Sequence, residues 1–466
     1  MRISVIGCGY LGAVHAACMA HLGHEVVGID VDHDKVRALA AGVSPIFEPN
    51  LDTILSSARE SGRLTFSDDP AAAAGAQVHF VTVGTPQRKG ENAADMTYVH
   101  AAVDALLPHL RPGDLVAGKS TVPVGTAALL AEKVAASGTG ALVAWNPEFL
   151  REGFAVEDTL TPDRIVYGLP PAGATTVDGV PAQDHARRLL DEVYVSALEG
   201  GTPLVVTDYP TAELVKVSAN AFLATKISFI NAMAEIADAT GADVTALADA
   251  IGHDTRIGRR FLNAGIGFGG GCLPKDIRAF AARAEELGKG ESLAFLREVD
   301  AINLRRRQHV VDMVVDELGG DVVGRKVAIL GLSFKPESDD IRDSPALDVA
   351  VRLKGLGADV VATDPHAILN SIRQHPQLGF ATNTVDALFG ADAIVLVTEW
   401  AEYRDLDPER VGELVRAKVV IDGRNALDPQ RWADAGWTYR GMGRPGVAPR
   451  AARDEGATTQ EAMAPA

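Results

Sequence analysis

The sequence predicts an α/β protein with two doubly wound parallel sheets, joined by a central helical region that carries a long connecting helix. Three observations predict it. Short apolar runs alternate with helical patterns over the N-terminal part, as a parallel sheet covered by helices requires. A similar order returns near the C-terminus, and two long helical stretches with few breakers lie between. At 466 residues the chain is too long for one ordinary core. The expected division is 1–205 and 319–445 for the sheet domains, 206–318 for the helical domain and 446–466 for a disordered tail. The tail is rich in Ala, Pro, Thr and charge, a composition that cannot bury a core.

The elements follow in chain order. "ISVIG" reads as a strand, then a glycine turn and a helix over about 11–22. "HEVVGIDVD" is a second strand ending at Asp30, and "VHFVTVGTP", "DLVAGKSTVP" and "ALVAWNPEF" are later ones. A helical pattern covers 211–240, and another covers 291–318 with no proline or glycine before Gly319. The apolar face of this second helix is a candidate dimer seam. "KVAILGLSFKP" is then a strand ending in glycine, followed by a helix over 345–356 and the strand "ADVVATDPH" ending at Asp364. "ADAIVLVTEW" parallels "AQVHFVTVGTP", and "AKVVIDGRN" parallels "DLVAGKSTVP". The two halves therefore read as two Rossmann-like nucleotide-binding units.

Lys and Arg number 44 against 62 Asp and Glu, a net charge of −18. That argues against non-specific nucleic-acid binding. No apolar run is long enough to span a bilayer, so no membrane partner is expected. "MRISVIGCGY" lacks the features of a signal peptide, and three scattered cysteines make no disulfide framework. The expected compartment is the reducing cytoplasm.

"GCGYLG" places Gly7, Gly9 and Gly12 between a strand and a helix. Such glycines permit a tight turn and let the backbone approach a pyrophosphate, whose charge the helix N-terminus stabilises. Asp30 at the end of the next strand can hold both ribose hydroxyls and would repel a 2′-phosphate, which favours NAD over NADP. Lys35, just beyond, reads as a contact to the adenosine end. His15, His21 and His24 read as packing or surface residues rather than ligands, and no metal is called for.

"GFGGGCLPKD" places Cys272 just before a helix that Pro274 opens and that runs to about 287. The helix start and nearby Lys275 both favour a thiolate. Gly269, Gly270 and Gly271 are expected to clear space for a substrate. Cys8 and Cys18 have no such setting and read as structural. An NAD enzyme with a nucleophilic cysteine points to oxidation at the aldehyde level, through a thiohemiacetal and a thioester. Lys216 and Asn220 share a helix face at i, i+4, with Glu213 three residues before Lys216. A lysine and an amide facing one site stabilise a developing oxyanion. Glu148 and Glu152, four apart after a strand end, offer a base for a hydrolytic water. Taken alone, the first pair also fits an amphipathic surface helix, and the second a solvated helix face.

Together these motifs resemble the UDP-glucose/GDP-mannose dehydrogenase family. The resemblance runs through "GCGYLG", "VGTP", "STVPVGT", "NPEFLREG", "ATKISFIN", "DTRIG", "GFGGGCLPKD", "GLSFKPESDDIRDSP" and "DGRN". "PDRIVYG" and "NAFLATKISFINAMAEIA" look most like the branch that oxidises UDP-glucose. The resemblance implies a four-electron oxidation of UDP-glucose to UDP-glucuronate with two NAD, by a homodimer or larger homo-oligomer. It implies Cys272 as nucleophile, Lys216 and Asn220 at the oxyanion, and Asp276 positioning a water or moving a proton. Glu148 is implied as the acid/base, with Thr121 ordering the water. It places Gly7, Gly9, Leu11, Gly12, Asp30, Lys35, Thr85, Thr121, Glu152, Lys275 and Arg342 at NAD. It places Glu148, Phe149, Leu150, Arg151, Glu152, Lys216 and Asn220 at the UDP-sugar. Phe261, Leu262, Asn263, Ala264, Gly265, Gly269, Phe334 and Lys335 fall there too. Arg256 and Arg424 match arginines that reach the sugar nucleotide, Arg256 in some cases from a neighbouring subunit. Gly271 stands where relatives often have serine, Leu273 where some have phenylalanine, and Asn263 where some have lysine.

Overall fold

The computed structural model describes residues 1–449. Its contacts form two compact units: Met1–Asn220 with Arg278–Leu293, and Ala221–Ile277 with the chain from Ala294 on.

The first unit is built on eight strands: β1 (Arg2–Ile6), β2 (Glu25–Ile29), β3 (Leu64–Ser67), β4 (Val78–Val81), β5 (Leu115–Gly118), β6 (Leu142–Trp145), β7 (Ile165–Leu169) and β8 (Leu204–Asp208). Their order is β3-β2-β1-β4-β5-β6-β7-β8. The side chains alternate between two buried faces, so the central strands read as continuous apolar runs. Ile3, Val5, Val26, Phe80 and Leu115 fill one face with Ala13, Val14 and Cys18 of the Tyr10–His21 helix. Ile6, Val27, Ile29, Val81 and Val116 fill the other. Each such side chain, fully buried, contributes about 1.5–3 kcal/mol. The order reverses between β1 and β4, which opens the crevice where nucleotides bind such sheets. β3 to β6 run parallel as expected, but β7 pairs antiparallel with β6, at Trp145 and Gly168, and β8 follows β7. β7 is buried throughout, so it has no alternation to announce its direction.

The second unit carries six parallel strands: β9 (Lys326–Leu330), β10 (Asp359–Thr363), β11 (Gly379–Phe380), β12 (Ala393–Leu396), β13 (Val419–Asp422) and β14 (Thr438–Gly441), ordered β11-β10-β9-β12-β13-β14. The Pro345–Gly355 helix between β9 and β10 starts on a Ser344 cap, with proline in its first turn. The Phe295–Glu317 helix lays Val310, Val311, Met313 and Val314 into the same core as β9 and β10. Those four side chains of the helix expected as a dimer seam are buried inside their own unit, while Phe295 and Leu304 of the same helix stay exposed. An exposed apolar stripe lies on the 32-residue Tyr209–Thr240 helix, at Phe222, Phe229 and Ile236. Their spacing of seven keeps them on one face.

Within the stretch expected as a tail from 446, Val447 pairs with Tyr439 of β14. The rest of the tail, from 450, lies outside the described residues. Among those described, no helix is long and apolar enough to cross a membrane.

Candidate active site

In the first unit the three glycines of the loop after β1 do three different jobs. Gly7 has φ +94°, the left-handed turn. A Cβ on Gly12 would stand 1.9 Å from the Gly7 carbonyl oxygen, so only glycine lets the helix close on the loop. A Cβ on Gly9 would meet nothing within 4 Å, and that open side is where a pyrophosphate can approach the backbone. The Tyr10–His21 helix begins at Gly9 with no side-chain cap, leaving its N-terminal end to an anion. Leu11 lies in its first turn.

Asp30, the expected ribose contact, also anchors the loop. Its Oδ2 accepts the Cys8 amide at 2.7 Å and Lys35 Nζ at 3.0 Å, and its Oδ1 accepts the Asp32 amide at 3.0 Å. The carboxylate thus ties the glycine loop to the end of β2. Nearby in sequence to β4 and β5, the Thr85 hydroxyl donates to the Thr121 carbonyl at 2.7 Å, which joins two expected NAD contacts. The loop residues fit a dinucleotide on this geometry.

Glu148 follows β6. Its Oε2 accepts the Leu150 amide at 2.6 Å, and its Oε1 lies 3.0 Å from Lys216 Nζ. Lys216 is 5% exposed, so this is a largely desolvated pair of an acid/base candidate and an oxyanion candidate. Phe149 is held by the Arg164 guanidinium, 3.7 Å from its ring centroid. Arg151 is committed to Asp158 by its Nε at 2.9 Å and its backbone amide at 2.8 Å. Glu152 and Asn220 are buried.

Two capping interactions in this unit escaped the sequence reading. Glu213 caps the Thr126–Ala136 helix through the Gly125 and Ala127 amides, each at 2.7 Å. Burial pushes its carboxyl up, and those amides pull it back down. Glu48 accepts the Gly153 and Ala155 amides at 2.7 and 2.8 Å, and so holds the loop after Glu152. Each partner is about a hundred residues away, and nothing local in the sequence signals the pairing.

In the second unit Cys272 is exposed and sits directly before the Leu273–Glu286 helix. Cys8 and Cys18 are buried, and burial pushes both thiols up to about 12. The close approach at the glycines before Cys272, expected for a substrate, is made here by the protein itself. A Cβ on Gly269 would meet the Asp343 carbonyl oxygen at 2.3 Å, on Gly270 the Phe334 ring at 2.8 Å, and on Gly271 the Arg342 guanidinium at 2.2 Å. The protein's own 334–343 loop takes the room. In consequence Arg342, paired with Asp340, sets a guanidinium against the residue preceding Cys272. Lys275 Nζ is 2.5 Å from the buried Asp276 carboxylate.

Asn303 holds the same loop from behind. Its Oδ1 accepts the Phe268 amide at 2.7 Å, and its Nδ2 donates to the Phe268 carbonyl at 2.9 Å. Arg307 adds contacts to the Phe268 and Asp343 carbonyls and an ion pair with Asp343 at 2.9 Å. Arg424 donates to the carbonyls of Val397, Gly267 and Phe334 at 2.8, 2.9 and 3.1 Å. This guanidinium acts as a clamp on three segments. Arg256 is highly exposed and pairs with Asp254 at 2.6 Å. Lys335 Nζ lies 5.6 Å from the Phe334 ring centroid.

Residues 261–265 run beside the turn after β13. Phe261 has φ +67°, a strained conformation for a non-glycine residue. Leu262 and Ala264 are buried, and Asn263 accepts from Arg259 at 2.7 Å. The Gly265 amide donates to Asn231 at 2.9 Å, and a Cβ there would meet the Gly423 carbonyl oxygen at 2.7 Å.

A nucleotide loop of this geometry, at the switch point of a doubly wound sheet, defines a dinucleotide-binding protein. Residues 1–177 match the NAD binding domain of the UDP-glucose/GDP-mannose dehydrogenase family, 210–305 its central domain and 328–429 its UDP binding domain. The chain belongs to that family and is an NAD-dependent oxidoreductase. It is 41% identical over 448 residues to the UDP-glucose 6-dehydrogenase of Rhizobium meliloti, covering 96% of this chain and 100% of that protein. It is 40% identical to the UDP-glucose 6-dehydrogenase TuaD of Bacillus subtilis, over 96% of this chain and 94% of that one. Among solved structures it resembles a UDP-glucose dehydrogenase from Pyrobaculum islandicum, at 38% identity and a TM-score of 0.84, covering 95% of this chain and 98% of that chain.

Proposed function

We propose that this enzyme oxidises the C6 alcohol of UDP-glucose to the carboxylate of UDP-glucuronate, consuming two NAD and one water. The observation that carries the reading is Cys272, exposed at a helix start, in a chain about 40% identical along its length to two UDP-glucose 6-dehydrogenases. NAD, held by the glycine loop and Asp30, would supply the hydride acceptor for both oxidations. The chain's residues do the rest. Lys216 and Asn220 hold the oxygen on C6 as negative charge develops on it. The Cys272 thiolate adds to the aldehyde carbon, and the resulting thiohemiacetal is oxidised to a thioester. Glu148 takes a proton from a water ordered by Thr121. That water attacks the thioester carbon, the C–S bond breaks, and the thiolate leaves. Asp276 moves or positions a proton beside the thiol. Residues 1–205 serve NAD and 319–445 serve the UDP moiety. The compartment is the cytoplasm, which keeps the three cysteines reduced.

The test is the number of NADH formed per UDP-glucose consumed, with GDP-mannose in parallel. Two from UDP-glucose and little from GDP-mannose is the expected result. One NADH would mean that aldehyde is released and Cys272 has another role. Two from GDP-mannose alone would overturn the substrate.

We also propose a homodimer seated on the Phe222, Phe229 and Ile236 stripe. Phe229→Asp is expected to shift the mass in sedimentation from dimer to monomer. An unchanged dimer would remove this stripe from the interface.

A further inference from the structure

Lys119 follows β5 and is 7% exposed. A lysine is rarely buried unless it is paired. Here the hydrogen-bond partners of the amine are neutral: Asn146 Oδ1 at 2.9 Å and the Tyr194 hydroxyl at 3.0 Å. The Tyr194 hydroxyl donates in turn to Asn146 Oδ1 at 2.6 Å, and Asn146 Nδ2 donates to the Val166 carbonyl at 2.9 Å. The amine also lies 5.4 and 5.5 Å from the ring centroids of Phe80 and Tyr194.

This cluster fixes Asn146, and Asn146 stands two residues before Glu148. Both polar atoms of its side chain are engaged, and its backbone amide donates to the Gly118 carbonyl at 2.8 Å. The turn that carries Glu148 therefore starts from an immobilised residue. Electrostatics links the same groups. Burial pushes the Lys119 amine down to about 7, Glu148 pulls it up, and Lys216 pushes it down. A methionine would fill the space between the two rings without that desolvation cost. The retained amine points to a demand beyond side-chain packing.

We propose that Lys119 is a positioning residue for Glu148: by locking Asn146 and Tyr194 it sets the carboxylate that Lys216 pairs with, and it adds a second amine to that carboxylate's surroundings. This rests on the reading of Glu148 as the acid/base. Lys119→Met is expected to lower kcat about 10–100-fold, the cost of a small misplacement of a reacting group, with KM for UDP-glucose and NAD changed less than about threefold. The decisive measurement is a double-mutant cycle with Glu148→Gln, read as single-turnover NADH formation at high enzyme concentration. Lys119→Met added to Glu148→Gln is expected to cost less than about twofold more, because coupled groups are not additive.

Two results overturn the proposal: wild-type kcat in Lys119→Met, or the same loss from Lys119→Met in both backgrounds. If Glu148→Gln alone keeps full activity, the reading of Glu148 fails first, and that outcome is distinct from multiplicative losses. Should Lys119→Met not fold, Tyr194→Phe removes only the hydroxyl and goes through the same cycle. An equal loss in both backgrounds, or none, again overturns the proposal.

Discussion

Cys272→Ser is expected to lower steady-state oxidation of UDP-glucose by about a thousandfold or more, because the hydroxyl remains protonated where a thiolate is the nucleophile. The substitution is nearly isosteric, and Cys272 is exposed at the start of the Leu273–Glu286 helix, so the fold should survive it. Loss of activity then reports chemistry rather than unfolding. The check is the steady-state rate of NADH formation, with intact-protein mass spectrometry to detect a sugar nucleotide trapped on Ser at this position. Normal turnover with two NADH per substrate would sink the thioester route, because nothing would then require a sulfur nucleophile.

Lys216→Met should lower kcat about 10²–10³-fold, the usual consequence of removing one preorganised donor from a developing oxyanion. Lys216 is nearly buried and 3.0 Å from Glu148, so its charge is screened little by water. The same change also leaves the Glu148 carboxylate without its cation. NAD affinity, which we assign to the glycine loop and Asp30, should stay within about threefold, since residues without a shared partner act independently. The pair of measurements is kcat from initial rates and NAD binding by fluorescence. An unchanged kcat removes Lys216 from the reaction, whereas a matching loss of NAD affinity makes it a structural residue of the first unit.

The nucleotide loop and the cysteine at a helix start were legible before the fold was. Gly7, Gly9 and Gly12 announce a nucleotide loop because Gly7 and Gly12 meet constraints of the turn and Gly9 leaves its side open. The resemblance added roles for Lys216, Asn220 and Glu148, which the residues alone left open. The pairing of Lys216 with Glu148 depends on a helix that starts more than sixty residues after Glu148. Arg424 matches a sugar-nucleotide arginine by motif, yet its donors reach three backbone carbonyls. The glycines at 269–271 signal close approach correctly, but a glycine does not say what approaches. The answer, the 334–343 loop, lies more than sixty residues on.

By itself, the sequence determined the two doubly wound sheets, the order of their main strands, the nucleotide loop with its acidic partner, and the cysteine at a helix start. These depend on periodicity, turn geometry and helix termini, all set by residues a few positions apart. Only the tertiary structure decided which face of the Phe295–Glu317 helix is spent on its own core, that β7 runs antiparallel, and that Lys119 meets Asn146 and Tyr194. These partners lie far apart along the chain, and they meet only after the sheet has formed and buried both sides. Burial then selects the hydrogen bonds, because a buried polar group left unpaired costs about 1–3 kcal/mol.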